Sequence, residues 1–243
     1  MKVGVTLPHF RDDADAALEA ARRAEDLGLD GVFCFDHLWP MGQPDRPAIS
    51  SAPLLGAVAA VTSRVAVGTL VARIGLVPDD VLVEVLAAVD ALSGGRCIAG
   101  IGTGDRLSKE ENDAYGLPFE PAAERRARLG AVARTLRASG MPVWLGGAGP
   151  ASLALAAETG AAVNAWQAEP ARVAELAATG MEVTWGGPVT TGPGEPAATL
   201  SALAAAGASW AVCGWPDSLE VVAEAAGEVR RHHPERPDPG DGR

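Results

Sequence analysis

The sequence predicts one α/β domain closed as a (β/α)8 or TIM barrel, and three observations predict it. A short β-branched run, a turn of Gly, Pro or Asp, and a helical pattern follow one another eight times along the chain. Strict alternation of this kind is the signature of that barrel. The length of 243 residues is ordinary for one such domain and ample for its core. Hydrophobic residues make up 48% and charged residues 21%, a balance that belongs to globular rather than fibrous or disordered chains. A doubly wound sheet is the structural rival, and the count of eight decides for closure.

Lys2–Leu7 reads as the first strand and Asp13 to Gly28 as its helix. Asp12 and Asp13 can cap the N-terminus of that helix, Ala17, Ala20, Ala21, Ala24 and Leu27 keep helical spacing, and Gly28 supplies the stop. Gly31–Phe35 is the second strand, followed after a Pro- and Gly-rich loop by a helix over Pro53–Thr62. Val65–Val71 is the third, and the next helix carries Val81, Leu82, Val85, Leu86, Val89 and Leu92 up to Ser93-Gly94-Gly95. Cys97–Ile101, Pro142–Leu145, Ala162–Ala165, Glu182–Trp185 and Trp210–Cys213 complete the strands. Helices follow at Ala122–Ala138, Ala151–Thr159, Pro170–Thr179 and Ala197–Ala206, and Leu219 to Val229 marks the last. Residues 1–233 are expected to form the single domain, and 234–243, which carry Pro, Gly and charge, a disordered tail.

The formal net charge is −11, which argues against nucleic acid or an acidic membrane surface as a partner. Cys34, Cys97 and Cys213 lie far apart in strand-like runs and read as buried reduced thiols. No signal peptide and no apolar run long enough to cross a membrane is present, so a cytoplasmic protein is expected.

In a barrel of this kind the chemistry sits at the C-terminal ends of the strands. Asp36-His37 ends the second strand, where a carboxylate beside an imidazole can orient it for proton transfer; a loop-capping Asp with a packed His is the other reading. His9 brings a second imidazole to the same end. The HxH spacing of barrel metal sites is absent, and no metal is expected. Gly100-Ile101-Gly102-Thr103-Gly104 opens backbone to a ligand, although nothing after it reads as a helix opening directly from the turn. Gly146-Gly147-Ala148-Gly149-Pro150 leads straight into a helix and suits an anion. Trp39, Trp166, Trp185 and Trp215 stand at or just beyond strand ends, where they would line an apolar pocket or cap the core.

With these stretches in view, nearly the whole chain resembles the bacterial-luciferase-like flavin and deazaflavin oxidoreductases, most closely the branch that uses coenzyme F420. The resemblance rests on Ala24-Glu25-Asp26-Leu27-Gly28-Leu29-Asp30-Gly31 leading to Asp36-His37-Leu38, on Val67-Gly68-Thr69, on Leu92-Ser93-Gly94-Gly95-Arg96, on Gly100 to Gly104, on Tyr115-Gly116-Leu117-Pro118-Phe119, and on Pro142 to Pro150. It implies a flat ring in the barrel mouth and hydride transfer between F420 and a small organic substrate. By the same resemblance Asp36 and His37 flank the ring, with His37 as proton donor. Gly68-Thr69-Leu70 marks a place where the family often has a non-proline cis peptide that bulges behind the ring, so these three residues are expected at the cofactor. Thr103, Gly104, Gly146 and Gly147 contact the cofactor's chain and phosphate, and Asp105 faces the substrate. His9, Trp39, Trp166 and Trp185 are expected around the substrate, and Arg73 or Arg106 near the cofactor's negative charge. Homodimers are common among such relatives. The chain departs from the pattern at Leu76-Val77-Pro78-Asp79 and Ala161-Ala162, and its connection from Trp185 to Ala197 lacks the long insertion that covers the mouth in many relatives. The competing readings are an FMN-dependent monooxygenase and a noncatalytic flavin-binding or dimerising barrel.

Overall fold

The computed structural model describes residues 1–189, 195–214 and 217–232; the expected tail and Trp215 lie outside them. Its strands are β1 Lys2–Thr6, β2 Gly31–Cys34, β3 Ala66–Thr69, β4 Ala72–Arg73, β5 Cys97–Gly102, β6 Val143–Gly146, β7 Ala162–Trp166, β8 Val183–Gly187 and β9 Trp210–Cys213. Every pairing is parallel, β1 joins β9, and β3 pairs with β5, so the sheet closes on itself. The nine segments make eight staves, because β3 and β4 are two parts of one. The helices α1 Asp15–Asp26, α2 Ser51–Val61, α3 Asp79–Ser93, α4 Arg106–Ala114, α5 Ala122–Ala138, α6 Pro150–Thr159, α7 Pro170–Ala177, α8 Pro196–Ala205 and α9 Leu219–His232 pack around it. This is the (β/α)8 barrel the alternation predicts.

Successive strand residues point to opposite faces, and both faces here are buried. Outward residues such as Val3, Val5, Val32 and Cys34 join the strand–helix core. Inward ones fill the barrel near its base, where Phe33 stacks on Trp144 at 5.1 Å and meets the edge of Trp210 at 5.9 Å. Two glycines make room for these rings: a Cβ on Gly31 would stand 2.9 Å from the Trp210 ring, and one on Gly68 would stand 3.0 Å from Phe33 and 2.4 Å from the Ile98 carbonyl oxygen. Gly68 is thus a packing residue of the barrel interior, not a residue of the mouth as expected.

The third stave is where local pattern and structure part. Gly68 pairs with Ile98 and Ala72 with Ile101, so Thr69, Leu70 and Val71 face only Ala99 and Gly100. One extra residue makes a bulge that breaks the ladder and re-aims the side chains beyond it. The cis peptide falls at Leu70–Val71, one residue past the stretch to which the resemblance pointed. Gly100 is required opposite the bulge, since a Cβ there would lie 2.0 Å from the Thr69 carbonyl oxygen.

The second difference is α4, which opens directly after Gly104. Asp105 caps it in a reciprocal box with Ser108: the Asp105 carboxylate accepts from Ser108 N–H at 3.0 Å, and the Ser108 hydroxyl accepts from Asp105 N–H at 3.1 Å. Such a box satisfies donors that the first turn leaves open.

Glu25 ties the end of α1 to the start of β3. Its carboxylate accepts N–H bonds from Ser63, Arg64 and Val65. Burial pushes this acid upward, but those donors outweigh it and bring it from 4.5 down to about 2. The folded state therefore releases this proton more readily than the unfolded chain, and its contribution is full above pH 4.5 and lost as pH falls through about 2. Glu25→Ala is expected to lower stability by about 1–2 kcal/mol near neutrality. In urea melts at a series of pH values the gap to wild type should close as the pH drops below 4.5; a gap independent of pH would mean packing, not charge, is lost.

Candidate active site

At the C-terminal ends of the strands lies a cavity of about 440 Å³, within the size range of small-ligand sites. Its floor is the bulge: Leu70 and Val71 line it, and Val71 sits between Gly102 and Gly146. A Cβ on Gly102 would come within 2.6 Å of Val71 Cγ2, and one on Gly146 within 3.1 Å of Val71 Cγ1, so these glycines are there to seat Val71. One wall is aromatic. Phe10 and Phe35 stack at 6.2 Å with 6° between planes, and Trp166 meets Phe35 edge-on at 5.8 Å. The other wall is polar, with His37, Thr103, Gly104, Asp105, Ser108 and Asn164.

Beneath His37 a charged network is buried. His37 Nδ1 lies 2.6 Å from Glu111 Oε1, while Glu111 Oε2 accepts from Leu38 N–H and Arg73 Nη2, both at 2.8 Å. Arg73 also donates through Nη1 to the Ser108 carbonyl at 3.2 Å. Its backbone N–H donates to Asp36, whose carboxylate lies 3.5 Å from Arg73 Nε. Burial pushes the Asp36 carboxyl up, opposed by Arg73 and His37. Burial pushes Glu111 the same way, but His37, Leu38 N–H and Arg73 outweigh it and hold that carboxyl below its ordinary value.

Asp36 therefore faces Arg73, and the carboxylate that orients the imidazole is Glu111, 74 residues away. Arg73 reaches the cavity wall but is only 3% exposed and paired with its two acids, whereas Arg106 is exposed at the start of α4. Asp105 lines the cavity while serving as the α4 cap. Partial burial would raise its carboxyl, yet the Ser108 and Leu107 donors hold it low.

The structure brings Leu70, Thr103, Gly104, Gly146, Gly147 and Trp166 to this mouth together with Asp36, His37 and Asp105. It does not bring the others there. Trp185 points outward into the strand–helix core, where its indole N–H donates to the Ala168 carbonyl at 2.9 Å; its neighbours Thr184 and Gly186 take the inward face. Trp39 is buried against Tyr115 at 6.2 Å. His9 is wholly buried behind Phe10, 4.3 Å from that ring, and its Nε2 has no hydrogen-bond partner among the described residues. Burial lowers its pKa, with the Leu7 carbonyl acting against this and His37 adding to it. Thr69 donates its hydroxyl to the Gly100 carbonyl at 2.6 Å and lines a neighbouring apolar cavity instead. Residues that sequence reasoning missed are Glu111 and Phe35, while Val71 and Asn164 stand at strand ends to which it gave no role. A signal for the first was present: Asp105-x-x-Ser108 is a helix start, and Leu107 and Glu111 then share one face.

Near Gly147, α6 opens from Gly149 without a side-chain cap, and Arg172 Nη2 reaches the Ala148 carbonyl at 3.4 Å. Among the described residues no three or more His, Cys, Asp or Glu gather in a group that could hold a metal ion, and no helix is long and apolar enough to cross a membrane.

The fold and site define a closed parallel barrel whose strand ends carry a cavity of small-ligand size, floored by the bulge, walled on one side by aromatic rings and edged by a held imidazole. The profile described as luciferase-like monooxygenase matches residues 1–138, and the chain belongs to that family. An F420-dependent glucose-6-phosphate dehydrogenase of Kineococcus radiotolerans is 39% identical over 118 residues, which is 48% of this chain and 34% of that protein. The match thus spans about a third of the length of that curated relative. Among solved structures, an F420-dependent secondary alcohol dehydrogenase in complex with an F420-acetone adduct superposes with a TM-score of 0.77 at 16% identity, covering 94% of this chain and 99% of that one. Monooxygenase RslO1 from Streptomyces bottropensis superposes with a TM-score of 0.69 at 17% identity, covering 96% and 98%. These two share the fold.

Proposed function

We propose that the protein is an oxidoreductase that binds coenzyme F420 in the barrel mouth and exchanges a hydride with a small organic substrate. The observation that carries this reading is the floor: Val71, raised by the bulge and seated between Gly102 and Gly146, offers an apolar support for a flat ring. The F420-dependent relative and the family membership support the choice of cofactor. When bound, the deazaflavin supplies a carbon that takes up or returns a hydride. Leu70 and Val71 hold the ring from below, and Thr103, Gly104, Gly146 and Gly147 receive the cofactor's chain and phosphate. Backbone N–H groups at the start of α6 favour that anion on a chain whose net charge is −11. Phe10, Phe35 and Trp166 exclude water and give the substrate an apolar wall. His37 holds or moves the proton, and Asp36 and Asp105 keep the surrounding loops in place.

Titration of the purified protein with F420 and, separately, with FMN tests this. Saturable micromolar binding of F420 is expected. Tight FMN binding with no F420 binding would instead favour a flavin monooxygenase, and binding of neither a noncatalytic barrel. We infer a homodimer as well, because α2 carries no charged residue and α3 exposes Val81 and Leu92, 45% and 67% accessible. Sedimentation of the same preparation should return twice the chain mass. The buried, unpaired cysteines fit the reducing cytoplasm.

A further inference from the structure

We propose that Glu111 is the positioning residue of the site: it fixes His37 with the proton on Nδ1 and leaves Nε2 as the atom that exchanges a proton with the substrate. The inference rests on the oxidoreductase reading for its chemistry, but its geometry stands alone. Glu111 is 2% exposed and its Oε2 already accepts two donors, Leu38 N–H and Arg73 Nη2. Oε1 is left for His37 at 2.6 Å. An ionised carboxylate can only accept, so Nδ1 must donate. Ring geometry then turns Nε2 away from Glu111. His37 is one-fifth exposed and lines the mouth cavity, and Nε2 has no protein partner among the described residues.

The arrangement has the logic of a carboxylate–imidazole pair in which the acid sets the tautomer and the far nitrogen does the work. When a carbinol is oxidised, its C–H bond breaks and the hydride leaves for the bound cofactor. Its O–H bond breaks with the proton passing to Nε2, and the C=O bond forms. Carbonyl reduction runs the same transfers backwards. Neither Asp36, which faces Arg73, nor Asp105, which caps α4, can replace Glu111 in this task. The Asp105–Ser108 box has a purpose in this scheme: it sets where α4 begins and so where Glu111 stands.

Long-range proton–nitrogen NMR on the unloaded protein, labelled at histidine and recorded above the imidazole titration, reads the tautomer. His37 signals are assigned by their loss in His37→Asn. Wild type should show Nδ1 protonated and Nε2 bare, and Glu111→Ala should shift the population toward Nε2–H. A dominant Nε2–H form in wild type overturns the proposal whether or not any variant folds. In turnover, Glu111→Ala should lose about 10–100-fold in kcat, the range for partners that orient a reacting group, with F420 affinity and KM changed less than about threefold. A loss confined to KM or cofactor affinity would overturn it. Because the tautomer is read without cofactor, failure of F420 to bind would strike the function and leave the positioning role intact.

Discussion

Replacing Arg73 with alanine is expected to destabilise the protein by about 3–5 kcal/mol, the cost of leaving buried charges unpaired. The Arg73 guanidinium pairs with both buried acids, lying 3.5 Å from the Asp36 carboxylate through Nε and donating to Glu111 through Nη2 at 2.8 Å. Without the guanidinium, the two largely buried carboxylates keep their backbone N–H donors and His37 but lose the full positive charge that lies between them. The pH dependence has a definite sign. A buried carboxyl already pushed up by burial, as Asp36 is, rises further, so the variant's native state holds a proton that the unfolded chain releases. Such a group favours folding at low pH and opposes it as pH rises. The gap to wild type in urea melts should therefore narrow as the pH is lowered from neutrality toward the ordinary carboxylate range. Arg73→Lys should recover only part of the loss, because an ammonium cannot reproduce the fork. A loss of under about 1 kcal/mol, the scale of an exposed pair, would mean that the acids are solvated or find other donors.

His37→Ala is expected to lower kcat by about 10²–10³-fold, the scale of a positioned proton-transfer group, while shifting the melting temperature little. His37 is partly exposed at the mouth, and its removal leaves Glu111 with two of its three donors. The split between turnover and stability is the diagnostic. Parallel losses of activity and thermal stability would mark His37 as a structural residue.

These two residues show how differently the site reads from sequence and from structure. His37 was visible because it follows a strand, sits beside an acid and falls at the end of the barrel where chemistry collects. Its partner was not, because adjacency in sequence favours Asp36, whereas Asp36 and His37 as neighbours turn to different sides. From sequence Arg73 reads only as a cation near a ligand, since nothing local says that two acids lie beside it. Trp185 and Trp39 mark the same limit. Being near a strand end says which end of the barrel a residue occupies, but not whether its side chain faces mouth, core or helix. Trp185 follows the strict alternation of β8 outward; the phase of that alternation is set by pairing with β7 and β9.

By itself the sequence determined the eight-fold alternation, and hence the barrel and the end where its mouth lies. It also placed the two glycine clusters, because apolar period, turn chemistry and helix stops are local properties. The tertiary structure alone decided that the third stave bulges at Thr69–Val71, that Gly102 and Gly146 exist to seat Val71, and that Glu111 and Arg73 complete the histidine. The reason is physical. Closure of the sheet brings residues from distant staves and the intervening α4 within hydrogen-bond reach, and one extra residue in a strand changes every facing beyond it.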